Sequence, residues 1–430
     1  MRSTAALVAL LSAALVLSTG SVLGGGPGGL GGDAALVATT PLDPSEARML
    51  LRGRPGPAPA GAADDALIEH VSVVSAPQAL PDAIIDAITG LDGVLATTRV
   101  RAAAIGLFGS IAADGTPRDV LPAGMRIPIN AVAIDPDTYL DVITTDVTVE
   151  HRSLVSALSP GTVLLSASAA QLRDLDAGAT VDVGRAGALG VAGVVPDGVA
   201  RGSDVLVHVA DVDRVGLGTR ESLLVRTAVP ASGPTITARF DDALGAVLGD
   251  RDEDGDEVRV WHGTRQVPLV LSMPAVKERF GEFAFRFVPN QREIGIERRF
   301  VDEWITIERM PVLGNVRCHR LIMDDLRAAI EETVAAGLSE WLAPSRYGGC
   351  FHPRRIGYGR ENLSRHAWGI AIDLNVDFSL PGAGPVPPDA FIEIWGRHGF
   401  RWGGDFSTPD NHHFEWVGEA ARVRPQRDGV

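Results

Sequence analysis

Regular alternation of apolar and polar positions begins near Leu67 and changes period several times. Residues 70–75 alternate and predict a strand. Residues 81–89 carry Ala83, Ile84, Ile85 and Ile88, with Pro81 at the start and Gly90 after the end, which predicts a short helix. Residues 94–101 predict a second strand, and the strand–helix–strand pattern continues through 131–147. The stretch from Gly161 to Asp197 predicts a strand over 162–166, a helix over 169–175, a turn at Gly178 and then short strands. Residues 258–261 alternate, and 280–310 reads as connecting strands. Over 320–336, Leu321, Ile322, Leu326, Ala329, Ile330 and Val334 form one helical stripe, closed by Gly337. Residues 370–376 place Ile370, Ile372 and Leu374 on one strand face and Ala371, Asp373 and Asn375 on the other. A short amphipathic helix over 389–398 stops at Gly399. In the last strand Phe414 and Trp416 share one face, and His413 and Glu415 the other. The fold class expected is α+β.

The chain has 430 residues, enough for two or more domains, and 45% hydrophobic content supports packed cores. Its formal charge of −15, from 39 basic and 54 acidic residues, argues against a nucleic-acid partner, which needs a basic face. Lys277 is the only lysine. Residues 1–24 read as an export signal, with Arg2 ahead of an apolar run over 5–17 and small residues at 18–21. No A-x-A site follows and the run continues to Leu23, so an uncleaved anchor, a membrane tether through the N-terminus, stays open. Residues 25–66 are rich in Gly, Pro and Ala and read as a linker. In an exported chain the two cysteines, Cys318 and Cys350, suggest a disulfide, with a pair of buried thiols as the alternative. Residues 250–256, DRDEDGD, imitate the start of a calcium loop, but the twelfth position is Trp261 rather than Glu, which favours an acidic turn.

The chemistry concentrates at 364–373 (SRHAWGIAID) and 410–415 (DNHHFE). His366, Asp373 and His413 offer two nitrogens and one oxygen, leaving a fourth position open, the pattern of a catalytic Zn2+ site. Ser364, His366, Gly369, Ala371 and Asp373 fit S-x-H-x-x-G-x-A-x-D. Asp410, His413, Phe414 and Glu415 supply an acid three residues before a His, followed by aromatic-Glu. Over 317–416 the chain resembles the D-alanyl-D-alanine carboxypeptidase family of zinc peptidases, which includes vancomycin-resistance carboxypeptidases and phage endolysins and has hedgehog-like relatives. The resemblance implies a zinc-peptidase domain over 311–430, with a small antiparallel sheet and flanking helices. Residues 230–310 then read as connecting strands. The region 67–229 reads as a separate α+β module and loosely resembles the extracytoplasmic core domain of macrolide-exporter-type permeases, through residues such as GTVLLSASAAQL and GALGVAGVVPD.

The resemblance also suggests roles. Asp410 is the candidate general base, with Glu415 as rival base or as a residue orienting a ligand His. His412 competes with His413 as ligand and otherwise serves as a rim residue or hydrogen-bond donor. Arg354 or Arg355 would stabilise charge on the scissile carbonyl, with Arg354 favoured. Ser364 would contact substrate or hold its turn, while Trp368 and Trp402 would wall the cleft or sit in the core. The reading is an exported zinc peptidase acting on peptidoglycan peptides, most simply a D-alanyl-D-alanine carboxypeptidase. The alternatives are a peptidoglycan endopeptidase and a non-hydrolytic zinc-containing domain.

Overall fold

The computed structural model describes residues 67–75, 79–143, 147–230, 259–261, 271–356, 362–376, 385–406 and 410–418. The stretches expected as export signal and linker, and the acidic stretch 250–256, lie outside them. Among the described residues no helix is long and apolar enough to cross a membrane. The fold is α+β: a sheet-rich module precedes a C-terminal region of small sheets and helices.

Ten strands form the module's sheet: β1 (Leu67–Ser75), β2 (Val94–Ile111), β3 (Pro117–Val120), β4 (Ile127–Ile134), β5 (Thr162–Ser166), β6 (Thr180–Val183), β7 (Gly187–Val195), β8 (Val205–His208), β9 (Ser222–Pro230) and β10 (Arg259–Trp261). The strand expected over 94–101 runs on to Ile111 because β2 changes partners along its length. Val94–Val100 pairs with β9, Val100–Leu107 with β4, and Leu107–Ile111 with β6. The pairings close a ring, β2–β4–β8–β5–β7–β6, and β9, β1 and β10 extend the sheet beyond β2. β4 is buried along its whole length, as a strand with covered faces requires. The helix expected over 169–175 starts earlier, at Ala167. Ser166 caps it by accepting the Ala169 N–H, and Asp174 ends it in the left-handed region.

The C-terminal region has three small antiparallel sheets: β11 (Phe285–Phe287) with β12 (Ile294–Ile296), β13 (Ile305–Met310) with β14 (Gly314–His319), and β15 (Ala371–Asp373), β17 (His413–Trp416) and β16 (Phe400–Trp402) in that order. Two stretches expected as strands are helical, the end of Met273–Phe280 and all of Arg298–Trp304. In the second, Phe300 turns inward while Arg298–Asp302 and Arg299–Glu303 pair at i,i+4 on the outside, a spacing that only a helix brings together. One apolar cluster runs from Met273 through Phe283, Ile330 and Trp395 to Trp416, so 271–310 packs with the residues after it.

Helix Met323–Ala335 follows a single 3-10 turn. Its buried face is Leu326, Ala329, Ile330 and Thr333, and Leu321 and Val334 of the expected stripe are exposed instead. It closes with Gly337 N–H on Val334 C=O and Leu338 N–H on Thr333 C=O, satisfying carbonyls that the helix leaves over. The strand expected over 370–376 is cut to three residues. Asn375 takes a positive φ of 54°, and the Leu374 N–H turns to the His412 carbonyl.

Candidate metal centre and active site

β15 and β17 pair so that Asp373 stands directly opposite His413, and Ala371 opposite Glu415. Opposed residues share a face, so Asp373, His413 and Glu415 project together, and the small Ala371 leaves Glu415 space. His366 arrives from the 3-10 turn Arg365–Ala367, whose N-cap Ser364 accepts the His366 N–H at 3.4 Å. Gly369 completes that turn with φ +68°. A Cβ there would stand 2.8 Å from the His319 nitrogen, so the signature's glycine fits a close backbone crossing.

Three donor atoms converge. His366 Nε2 is 3.1 Å from Asp373 Oδ1 and 3.3 Å from His413 Nδ1, and His413 Nδ1 is 3.0 Å from the same Oδ1. Zinc bonds of about 2.0–2.2 Å set a tetrahedral edge of about 3.3 Å, close to these separations. The far side of each ring is accounted for. His366 Nδ1 lies 2.7 Å from the Cys350 carbonyl and must donate to it, which leaves the Nε2 lone pair facing the cluster. His413 Nε2 faces Glu415 Oε2 at 3.7 Å, and its Nδ1 faces the cluster. All three are buried. Among the described residues this is the one grouping of three or more His, Cys, Asp or Glu able to hold a metal ion.

Burial disfavours every charge here, but the neighbours decide the outcome. Against burial, His366 and His413 hold the Asp373 carboxyl well below its usual range. Burial also opposes a charged His413, yet the Asp373 and Glu415 carboxylates raise it to about 10. Burial dominates at His366, which is lowered despite Asp373. Glu415, although buried, is lowered by His413, Arg365 and Arg401. The pocket therefore concentrates carboxylate charge around two imidazoles, an arrangement suited to a cation.

The other expected residues separate into those at the triad and those away from it. Arg354 reaches it, with Nη2 3.5 Å from Asp373 Oδ2. Arg355 turns away, donating to the Gln291 carbonyl and lying 4.5 Å from the Phe287 ring centre. Asp410 opens the turn into β17, its carbonyl accepting the His413 N–H at 3.2 Å and its Oδ1 standing 3.1 Å from His412 Nε2. His412 thus partners Asp410 and is not in the triad. Trp368 and Trp402 are both core residues. The Trp368 indole N–H donates to the Gly281 carbonyl at 3.1 Å, and that of Trp402 to the Asn411 carbonyl at 2.9 Å. Cys318 and Cys350 form a disulfide, which ties β14 to the carbonyl that fixes His366. Sequence reasoning missed that carbonyl, because a backbone group carries no residue signature.

The family model described as D-alanyl-D-alanine carboxypeptidase matches residues 358–416, which span His366, Asp373, Asp410 and His413. That segment is similar to this peptidase family. Solved structures are similar to part of the chain. The periplasmic region of MacB from Actinobacillus actinomycetemcomitans matches at TM-score 0.30 and 12% identity, over 45% of this chain and 89% of that one. The extracellular domain of the ABC-type transporter YknZ from Gram-positive bacteria matches at TM-score 0.28 and 16% identity, over 45% and 98%. No curated protein matches the sequence. Both resemblances drawn from the sequence, to the carboxypeptidase family and to exporter-type permease domains, recur in these comparisons.

Proposed function

We propose that the chain is an exported zinc peptidase that hydrolyses peptidoglycan stem peptides and releases terminal D-alanine. The observation that carries the reading is the triad: three donor atoms within 3.3 Å of one another, with the far nitrogen of His366 bonded to the Cys350 carbonyl and that of His413 facing Glu415 at 3.7 Å. His366, Asp373 and His413 would hold the ion. Bound there, zinc supplies a Lewis acid that acidifies water and polarises a carbonyl. Asp410 accepts the proton of the attacking water and returns it to the leaving amine. Arg354, partly exposed beside Asp373, donates to the scissile carbonyl as negative charge develops on its oxygen. The Arg354 guanidinium also suits a carboxylate of a stem peptide. Export is supported by the apolar run over 5–17 and by a disulfide, which persists in oxidising compartments.

Incubating the zinc-loaded protein with a pentapeptide stem tests the reading. Free D-alanine and a tetrapeptide are expected. Cleavage of an internal or cross-link bond would replace the carboxypeptidase assignment with endopeptidase. No cleavage of any stem peptide by the zinc-loaded protein would make the site non-hydrolytic.

A further inference from the structure

Lys277 lies far from the triad in sequence, yet its surroundings lead there. It is 1% exposed, on helix Met273–Phe280. Its Nζ stands 2.8 Å from Asp204 Oδ1 and 3.3 Å from Glu282 Oε1. The second Asp204 oxygen accepts the Asn130 N–H of β4 at 2.7 Å, so that anion is fixed within the sheet. Glu282 also pairs with Arg173, whose Nε is 3.5 Å from Asp119. Charges of both signs thus alternate across the border, with Asp119, Arg173 and Asp204 in the module and Lys277 and Glu282 in the next segment. Buried ions are costly unless partnered, and removing one partner strands the other. Such a network holds one relative placement of the two regions. A backbone bridge between Arg126 and Phe285, 2.8 Å in both directions, fixes the same border.

The other side of this segment grips the residues around His366. Arg365 donates to the Leu271 carbonyl, and Trp368 to the Gly281 carbonyl. His319 Nε2 is 3.1 Å from the Phe280 carbonyl, and its backbone N–H donates to the Gly369 carbonyl at 2.9 Å. The Phe280 ring meets Trp416, at the end of the strand bearing His413, edge-on at 5.4 Å. Residues 271–284 are therefore clamped by the module on one side and hold the His366 turn on the other.

We propose that the sheet-rich module is a built-in scaffold of the metal triad, with Lys277 as the positioning residue that locks it in place. One arm of the test rests on the zinc reading and the other does not. In the full chain, Lys277→Met should raise hydrogen exchange at the amides of 365–370 by about tenfold or more, while helix Met323–Ala335 keeps its protection. Chelator competition should show zinc held about tenfold more weakly, as when a partner supporting a ligand is lost. Lys277→Arg, which keeps the charge, should stay within about threefold of wild type on both readouts. Should Lys277→Met fail to fold, Glu282→Gln, nearer the surface, is expected to give the same local pattern. Wild-type exchange at 365–370 in either folded variant, or a uniform rise along the whole chain, would overturn the proposal. If the wild-type protein binds no zinc, the peptidase reading fails and the exchange result still decides the coupling.

Discussion

The sheet-rich module fills its interior with aliphatic side chains such as Val163, Leu165, Val183, Leu189 and Val207. The C-terminal region fills its own with rings, among them Phe283, Phe391, Trp395, Phe400 and Phe414. The backbone explains the difference. Strands of up to eighteen residues satisfy their own polar groups, so side chains need only fill space. Strands of three or four residues cannot support a sheet alone, and large aromatic faces and a disulfide stand in for the missing ladder. Irregular backbone also leaves carbonyls free. Those of Leu271, Gly281 and Cys350 take hydrogen bonds from Arg365, Trp368 and His366. The region poorer in regular structure is thus the one able to fix polar side chains around a site.

If that contrast is right, changes in the C-terminal region should separate chemistry from support. The largest effect belongs to Asp410→Asn, which should keep zinc and fold yet lose about a hundredfold or more in turnover. Full activity in that variant, with a dead Glu415→Gln, would move the base to Glu415. Next, replacing Cys318 and Cys350 by Ser opens a bridge between residues 32 apart, and chemical denaturation should show a loss of about 3–4 kcal/mol. Unchanged stability would show that the aromatic core needs no such tie.

Glu415→Gln should weaken zinc binding by about 10–100-fold in chelator competition, because His413 loses the carboxylate facing Nε2. Unchanged affinity would leave Glu415 without a part in orienting the ring. His319 should give the smallest effect. Burial lowers it to about 4. Its folded value lies below the unfolded one of about 6.5, so the unfolded chain binds the extra proton and stability falls as pH drops from about 6.5 towards 4. Between pH 7 and 5 this site should cost up to about 2 kcal/mol, and His319→Gln should remove that part of the loss. An identical pH dependence in the variant would mean that His319 does not drive it.

The grouping of His366, Asp373 and His413 is legible in the sequence because signature spacing and strand alternation record the same geometry. Strand Thr162–Ser166 and helix Asp389–Arg397 are legible from periodicity. Helix Arg298–Trp304 is not, because a single inward Phe300 leaves too little pattern. The Lys277–Asp204 pair spans 73 positions and the Arg173–Glu282 pair 109, and no local window contains either. The choice between Arg354 and Arg355 needs coordinates too, since adjacent arginines differ only in where the turn sends them.

The most direct test of the central claim is the zinc content of the purified, zinc-exposed protein. The triad predicts about one ion per chain in wild type, and its loss in His366→Ala, Asp373→Ala and His413→Ala. A metal-free wild type, or full occupancy in all three variants, would contradict it.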